Sequence, residues 1–443
     1  MIACLFVASA MIFGGGGSSA PLSELVLQLL AALALAAWLL FPSRQSGLAD
    51  QRRPSDRRLW VLAGLVLLLP CLQLVPLPPA TWQLLPGREQ EQAALELVGA
   101  GSAWMPWSVA PARTFASLLA LLPPLLAMGM VAALDRAGRY WVIATIAAVA
   151  LASLLLGALQ LSAGTAGTWR PYGADNLGFL NGFQANRNAQ ADILLAGLVA
   201  SAAALSGFGE GRRSGVDLML AALVALFVIA CILTGSRAGI ALLPVALAAV
   251  ALIWLPRSFR LRTAVLWTGG LLCAGAASFL ALRQTTAIGR ALERFALDRD
   301  FRWELWQDTW YAILQHWPFG TGIGSFRPVF IAAERLEVVD PTMPVRAHNE
   351  YLELALETGI FGPVLLAVAA SLLSVMALAS WRRRDRVSRA QIIFALALFV
   401  LIALHSVVDY PMRSMALACL AGVAAGLLSA APDARKAWGT TGQ

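Results

Sequence analysis

Residues 140–162 read YWVIATIAAVALASLLLGALQLS, an unbroken apolar stretch without one charged side chain. As a helix rising about 1.5 Å per residue it is about 35 Å long, enough to cross a hydrocarbon core of about 30 Å. A helix satisfies its own backbone hydrogen bonds in such a layer, so the stretch reads as a membrane span. Eleven further runs have this character, at 2–13, 22–41, 59–76, 113–133, 189–207, 216–234, 239–255, 263–282, 359–380, 390–409 and 412–430. The expectation is an all-α integral membrane protein of about twelve transmembrane helices, with residues 1–443 as a single polytopic domain. The first run is short and ends at the four glycines 14–17. No basic segment precedes it and the glycines make a poor cleavage site, so it reads as a short or clipped first helix rather than a signal peptide.

Composition agrees with this reading. Hydrophobic residues make up 59% of the 443 positions and charged residues 13%, with a mean hydropathy of +0.71, too little charge to cover a soluble enzyme of this size. The net charge of +8 is spread along the chain, and Lys436 is the single lysine, which gives no basic tail or patch for nucleic acid. Cys4, Cys71, Cys231, Cys273 and Cys419 each lie in an apolar run without CxxC spacing, so they read as small core hydrophobes.

The arginines set the orientation. With the N-terminus inside, the short cytoplasmic loops hold Arg44, Arg52, Arg53, Arg57 and Arg58; Arg136 and Arg139; Arg212 and Arg213; Arg257, Arg260 and Arg262; and Arg382, Arg383, Arg384, Arg386 and Arg389. The short opposite loops hold only Arg237. Basic residues stay on the cytoplasmic side, so both termini are expected there. Three longer loops then face outward, near 77–112, 163–188 and 283–358. The last is too long for a connector and reads as folded. Trp306, Trp310, Ile313 and Trp317 recur at helical spacing until Pro318, and Arg290, Glu293 and Arg294 before them suit an amphipathic interfacial helix. Tryptophans of an ordinary membrane-surface belt would look the same.

Ionisable residues beside membrane spans are costly and therefore mark candidate sites. Arg187 lies between Asn186 and Asn188 at the start of a span, with Asp192 a turn inside it; the structural alternative is an Asn188 N-cap and an Arg187–Asp192 pair. Thr234-Gly235-Ser236-Arg237-Ala238-Gly239 joins two spans almost without a loop and holds Arg237 at the mouth of the bundle, unless it merely snorkels to the headgroups. Arg346-Ala347-His348-Asn349-Glu350 is expected to open a short helix ending near Gly359, with His348 in its first turn between a cation and a carboxylate. Arg302 and Trp306 sit one turn apart, as a stacked structural pair would. His405, Ser406, Asp409, Tyr410, Pro411 and Arg413 form the last outer turn, where Asp409 and Arg413 could pair. Gly320-Thr321-Gly322-Ile323-Gly324 follows no strand, so a nucleotide loop is not expected.

Arginines around one histidine at the outer rim suit a pyrophosphate whose tail lies in lipid. They would bind its oxygens and stabilise charge as it departs, while histidine accepts the proton of an attacking hydroxyl. The same motifs, in the same order, resemble the O-antigen ligase and polymerase superfamily over residues 170–425. They are Thr234 to Gly239, the Arg302…Trp306 spacing followed by Pro318-Phe319-Gly320-Thr321-Gly322-Ile323-Gly324, and Ala347-His348-Asn349-Glu350-Tyr351-Leu352 through Gly359. The resemblance implies a GT-C-type membrane glycosyltransferase with a large periplasmic loop, 283–358, over its site. It implies a multi-pass bacterial inner-membrane enzyme, an undecaprenyl-diphosphate-linked glycan donor, and no metal or other cofactor. By position it makes Arg187, Arg237 and Arg346 diphosphate ligands, and His348 and Arg237 the catalytic residues, with Arg302, Glu350 and Asp409 as further candidates. The acceptor would be lipid A-core in a ligase or a growing polysaccharide in a polymerase, and protein O-glycosyltransferases share the motifs. The His405…Asp409-Tyr410-Pro411 turn resembles exopolysaccharide polymerase-like members. A glycolipid transporter or flippase would place charges at the midplane of an internal repeat, which the sequence lacks. A non-catalytic assembly partner is a further alternative.

Overall fold

The computed structural model describes residues 1–17, 21–41, 56–163, 170–172, 177–207, 213–254, 302–339, 344–382 and 386–429. The chain there is almost wholly helical, and the described strands are one two-residue antiparallel pair, Pro76–Leu77 with Met105–Pro106. Among the described residues eight helices are long and apolar enough to cross a membrane: Leu22–Leu40, Pro111–Ala133, Arg136–Ser162, Arg187–Leu205, Gly215–Leu233, Arg237–Trp254, Phe361–Trp381 and Ser388–His405. The runs at 2–13 and 412–430 become the shorter apolar helices Ile2–Phe13 and Met415–Leu428. That at 59–76 becomes the helix Arg57–Gln73, and the run at 263–282 lies outside the described residues. Within Pro111–Ala133 the regular helix breaks at Leu121, because Pro123 and Pro124 offer no N–H to the preceding turn.

The helix Arg187–Leu205 forms the axis of the bundle. Every residue from 189 to 205 is buried, so the helix is packed on all sides and carries no amphipathic stripe. The helices 136–162, 213–233, 237–254 and 386–405 pack around it. Small residues set the spacing: a Cβ on Gly197 would meet the Ala150 methyl at 2.3 Å, and one on Gly239 the Ala191 methyl at 2.4 Å.

Hydrogen bonds between helix ends divide the bundle into two rims. At one rim the buried Arg139 guanidinium donates to the carbonyls of Ala132, Leu134, Leu427 and Ser429 and to the Ser429 hydroxyl, at 2.8–3.2 Å. These carbonyls end the helices 122–133 and 415–428, so the helix dipoles place partial negative charge around the cation. A residue expected to be a loop charge is therefore a clamp on two helix C-termini. At the other rim Gly14 accepts from the Ala416 amide, Gly15 from the Ala185 amide, and Leu233 from the Leu180 amide. The turns at 183–187, 234–237, 346–350 and 405–413 gather here.

The long segment 283–358 is folded where it is described. Helices Arg302–His316, Phe326–Ala333 and Glu350–Thr358 enclose their own small core of Leu305, Ala312, Ile313, Phe326, Val329, Phe330, Ala347 and Leu356. The expected 302–317 periodicity yields a helix that ends at His316, just before Pro318, whereas Arg290, Glu293 and Arg294 lie outside the described residues. The glycine loop 320–324 binds the helices of this unit to one another and ties the unit to the helix Arg57–Gln73. Amides of Thr321 and Gly322 donate to the carbonyls of Leu356 and Glu357, and that of Ile323 to the Gln73 side chain. Together with the Gly320 amide, which donates to the His316 carbonyl, four successive N–H groups of the loop are engaged within the fold.

Candidate functional site

The site is assembled from four turns at this second rim. The first carries Arg187. Asn186, not Asn188, caps the helix, its side chain accepting from the Asn188 amide at 2.8 Å. Asn188 is released for a long-range bond, and the Arg187 guanidinium lies 4.8 Å from the centre of the Phe179 ring. The second turn carries Arg237. The Thr234 hydroxyl accepts from the Ser236 amide and the Ser236 hydroxyl from the Gly239 amide, which caps the helix Arg237–Trp254 and leaves Arg237 exposed at its first position. Gly235 has φ +63°, and a Cβ there would stand 2.5 Å from the Phe179 ring. Phe179 thus touches both turns and brings the Arg187 and Arg237 segments together.

The third turn carries Arg346 and His348. The expected helix opening at Arg346 is corrected: the helix is Glu350–Thr358, and Asn349 caps it by accepting from the Tyr351 and Leu352 amides. His348 precedes the cap in the left-handed region, φ +49°, a conformation uncommon for a side chain of this size. That backbone turn seats the ring edge-on to Tyr410, 4.9 Å between centres, with Nδ1 3.1 Å from Asp409 Oδ1. Trp306 Nε1 donates to the Ala347 carbonyl, so the Arg302–His316 helix fixes this segment from above. Arg302 begins that helix within electrostatic reach of His405.

The fourth turn, 405–413, decides the pairing. Asp409 does not bind Arg413, as one sequence alternative had it. Its Oδ1 meets His348, and its Oδ2 accepts from Asn188 Nδ2 at 2.5 Å. Nor does Asp192 pair with Arg187 in the described contacts; its Oδ1 meets His405 Nδ1 at 2.7 Å. Pro411 ends the turn in a short 3-10 segment, Pro411–Arg413, that carries Arg413 to the opposite side. There its Nη2 lies 2.9 Å from Glu353 and 2.8 Å from Glu357. Arg346 Nη1 shares Glu353 at 2.8 Å, so this candidate phosphate ligand is held by a carboxylate through one of its five donors.

Glu350, Glu353 and Glu357 recur at i, i+3 and i+7 on a short helix with no basic residue of its own. That stripe was a legible sign that cations must arrive from elsewhere, yet Glu353, Glu357 and Arg413 were not singled out as a cluster. Burial opposes ionisation of Glu353, but Arg413 and Arg346 outweigh it and hold its carboxyl below the usual range. Glu357 goes the other way, because burial dominates and Arg413 offsets only part of it. Glu350 accepts from the Ser406 hydroxyl and the Met412 amide, and burial pushes its carboxyl up to about 7. It ties the loop helix to the 405–413 turn.

The pH dependence of that tie follows from its sign. A carboxyl raised by folding contributes stability that is fully present below about 4.5 and is lost as pH climbs through about 7. The unfolding temperature of the purified protein should therefore fall relative to that of Glu350→Gln between about pH 5 and 7.5. A difference between the two that does not vary with pH would mean that Glu350 does not titrate on folding.

Among the described residues no group of three or more His, Cys, Asp or Glu side chains is placed to hold a metal ion. Residues 222–367, a third of the chain, match the family model described as O-antigen ligase. The matched segment contains Arg237, Arg302, Arg346, His348 and Glu350, while Arg187 and Asp409 lie outside it. The motif resemblance is thus supported by a separate comparison. A search of curated proteins finds no match.

Proposed function

We propose that this chain is an inner-membrane glycosyltransferase of the O-antigen ligase type, which moves a glycan from undecaprenyl diphosphate to a hydroxyl of lipid A-core at the periplasmic face. The observation that carries the reading is His348, held at Nδ1 by the Asp409 carboxylate on the rim where the Arg187 and Arg237 turns meet. With Nδ1 so engaged, Nε2 is the nitrogen to take the acceptor's proton. The acceptor oxygen then bonds to the anomeric carbon, the bond from that carbon to the diphosphate oxygen breaks, and undecaprenyl diphosphate departs with the electron pair. Arg237, Arg187 and Arg346 neutralise the charge that develops on it. Arg302 reinforces the positive field from the loop, and Glu350 holds the loop in place.

In this reading residues 1–443 form one polytopic domain with both termini cytoplasmic. The 283–358 segment is the large periplasmic loop, and 170–425 is the region that carries the family resemblance. Polymerisation onto a growing polysaccharide is the second reading, favoured because Asp409, which holds His348, belongs to the turn that resembles polymerase-like members. Purified protein given the lipid-linked donor and each acceptor tests both readings, and a transporter or assembly partner would release no undecaprenyl diphosphate.

Arginines stand where a metal would otherwise neutralise phosphate, so transfer should continue at an undiminished rate in EDTA. Loss of turnover on chelation, restored by magnesium or manganese, would overturn the arginine clamp.

A further inference from the structure

Behind His348 lies a second histidine–carboxylate pair that the proposed chemistry does not use. His405 is 1% exposed and Asp192 3%, both deep between the axial helix and the helix Arg386–His405. His405 Nδ1 meets Asp192 Oδ1 at 2.7 Å, and its Nε2 lies 3.9 Å from Asp409 Oδ2. The Asp409 amide also donates to the His405 carbonyl at 3.0 Å. Four side chains therefore run inward in the order His348, Asp409, His405, Asp192. Two carboxylates buried this close repel each other, and each ring nitrogen of His405 faces one of them, an arrangement that suits an imidazolium between two anions.

We propose that His405, anchored by Asp192, is a positioning residue that holds Asp409 toward His348 and limits the negative charge that His348 feels. The inference rests on the reading of His348 as the base. Other ionisable groups surround the chain of four: Arg187 adjoins the Asn188 that donates to Asp409, and Arg346 lies two residues from His348 within electrostatic reach of Tyr410. Arg302 reaches His405 from the loop, Tyr410 packs on His348, and Cys231 lies within electrostatic reach of Asp192. Glu350 is bound to Ser406 beside His405. The helices 237–254 and 415–428 add only Arg237 and Cys419. None of these replaces a cation between Asp192 and Asp409.

The sign of the effect is fixed by charge. Removing the His405 cation leaves Asp409 more strongly negative, which favours the protonated form of His348. Diethyl pyrocarbonate acylates neutral imidazole, and mass spectrometry of the His348 peptide reads its protonation in the full-length protein without reference to turnover. In His405→Gln the midpoint of His348 modification should move to higher pH, and the rate at a fixed pH below it should fall about threefold to tenfold. The acid limb of the turnover profile should move with it, while KM for donor changes little. A merely structural loss would lower activity without moving either midpoint.

If the single variant does not fold, the Asp192→Asn/His405→Gln pair removes cation and anion together, so Asp409 is the one carboxylate left in the chain of four, still met by His348 and Asn188. It should shift the midpoint in the same direction by less, because the nearer charge to Asp409 is the cation. An unchanged midpoint in either folded variant overturns the inference. A shifted midpoint with an unshifted turnover limb would leave it standing and remove His348 from the chemistry instead.

Discussion

Purified His348→Ala protein is expected to lose nearly all transfer, by about 10²-fold to 10⁴-fold, while still binding the lipid-linked donor. The base acts on the acceptor's proton, not on the phosphates, so the loss belongs in turnover rather than donor affinity. The backbone complicates the substitution. At φ +49° an alanine is disfavoured, whereas asparagine tolerates the left-handed region and can still reach a carboxylate. His348→Asn is therefore the cleaner variant: it keeps the turn and a hydrogen-bond donor toward Asp409 but cannot take up a proton. Product formation measured beside donor affinity at several pH values decides the matter. Near-normal turnover in the asparagine variant would reduce the site to an arginine-lined binding surface.

Arg237→Lys should lower turnover by about 10² or more if the guanidinium grips the departing diphosphate through paired donors. Lysine keeps the charge and loses the planar fork, so the substitution separates shape from electrostatics. The fold has little stake in the exchange. Arg237 is exposed at the first helical position, and the cap is made by Ser236 and Gly239, which remain. A lysine variant with wild-type turnover and a wild-type melting temperature would mean that Arg237 supplies charge alone.

Membrane architecture was legible because it rests on local quantities. An apolar run of sufficient length has one backbone solution in hydrocarbon, and the runs at 22–41, 113–133, 140–162, 189–207, 216–234, 239–255, 359–380 and 390–409 all reappear among the eight apolar helices. The candidate residues were legible for a related reason: ionisable groups beside such runs are expensive and stand out. Arg187, Arg237, Arg346, His348 and Asp409 were read one turn at a time, and the fold places the four turns that carry them on one rim.

Side-chain partnership is where local reading stopped. The sequence offered near neighbours, Arg187 with Asp192 and Asp409 with Arg413, because charges about one helical turn apart along the chain are the pairs a local reading can see. Asp409 instead meets His348 across 61 residues, Asp192 meets His405 across 213, and Arg413 meets Glu357 across 56. Helix propensity and hydropathy carry no information on those separations. The sequence by itself determined that this chain is a bundle of membrane-length helices with ionisable residues at their ends, since each helix is fixed by its own backbone and its own apolar length. The tertiary structure alone decided which charge neutralises which. Pro411 ends the 405–413 turn in a way that sends Arg413 to the glutamates, His348 takes a left-handed backbone that turns it to Asp409, and the packing of two long helices sets His405 against Asp192.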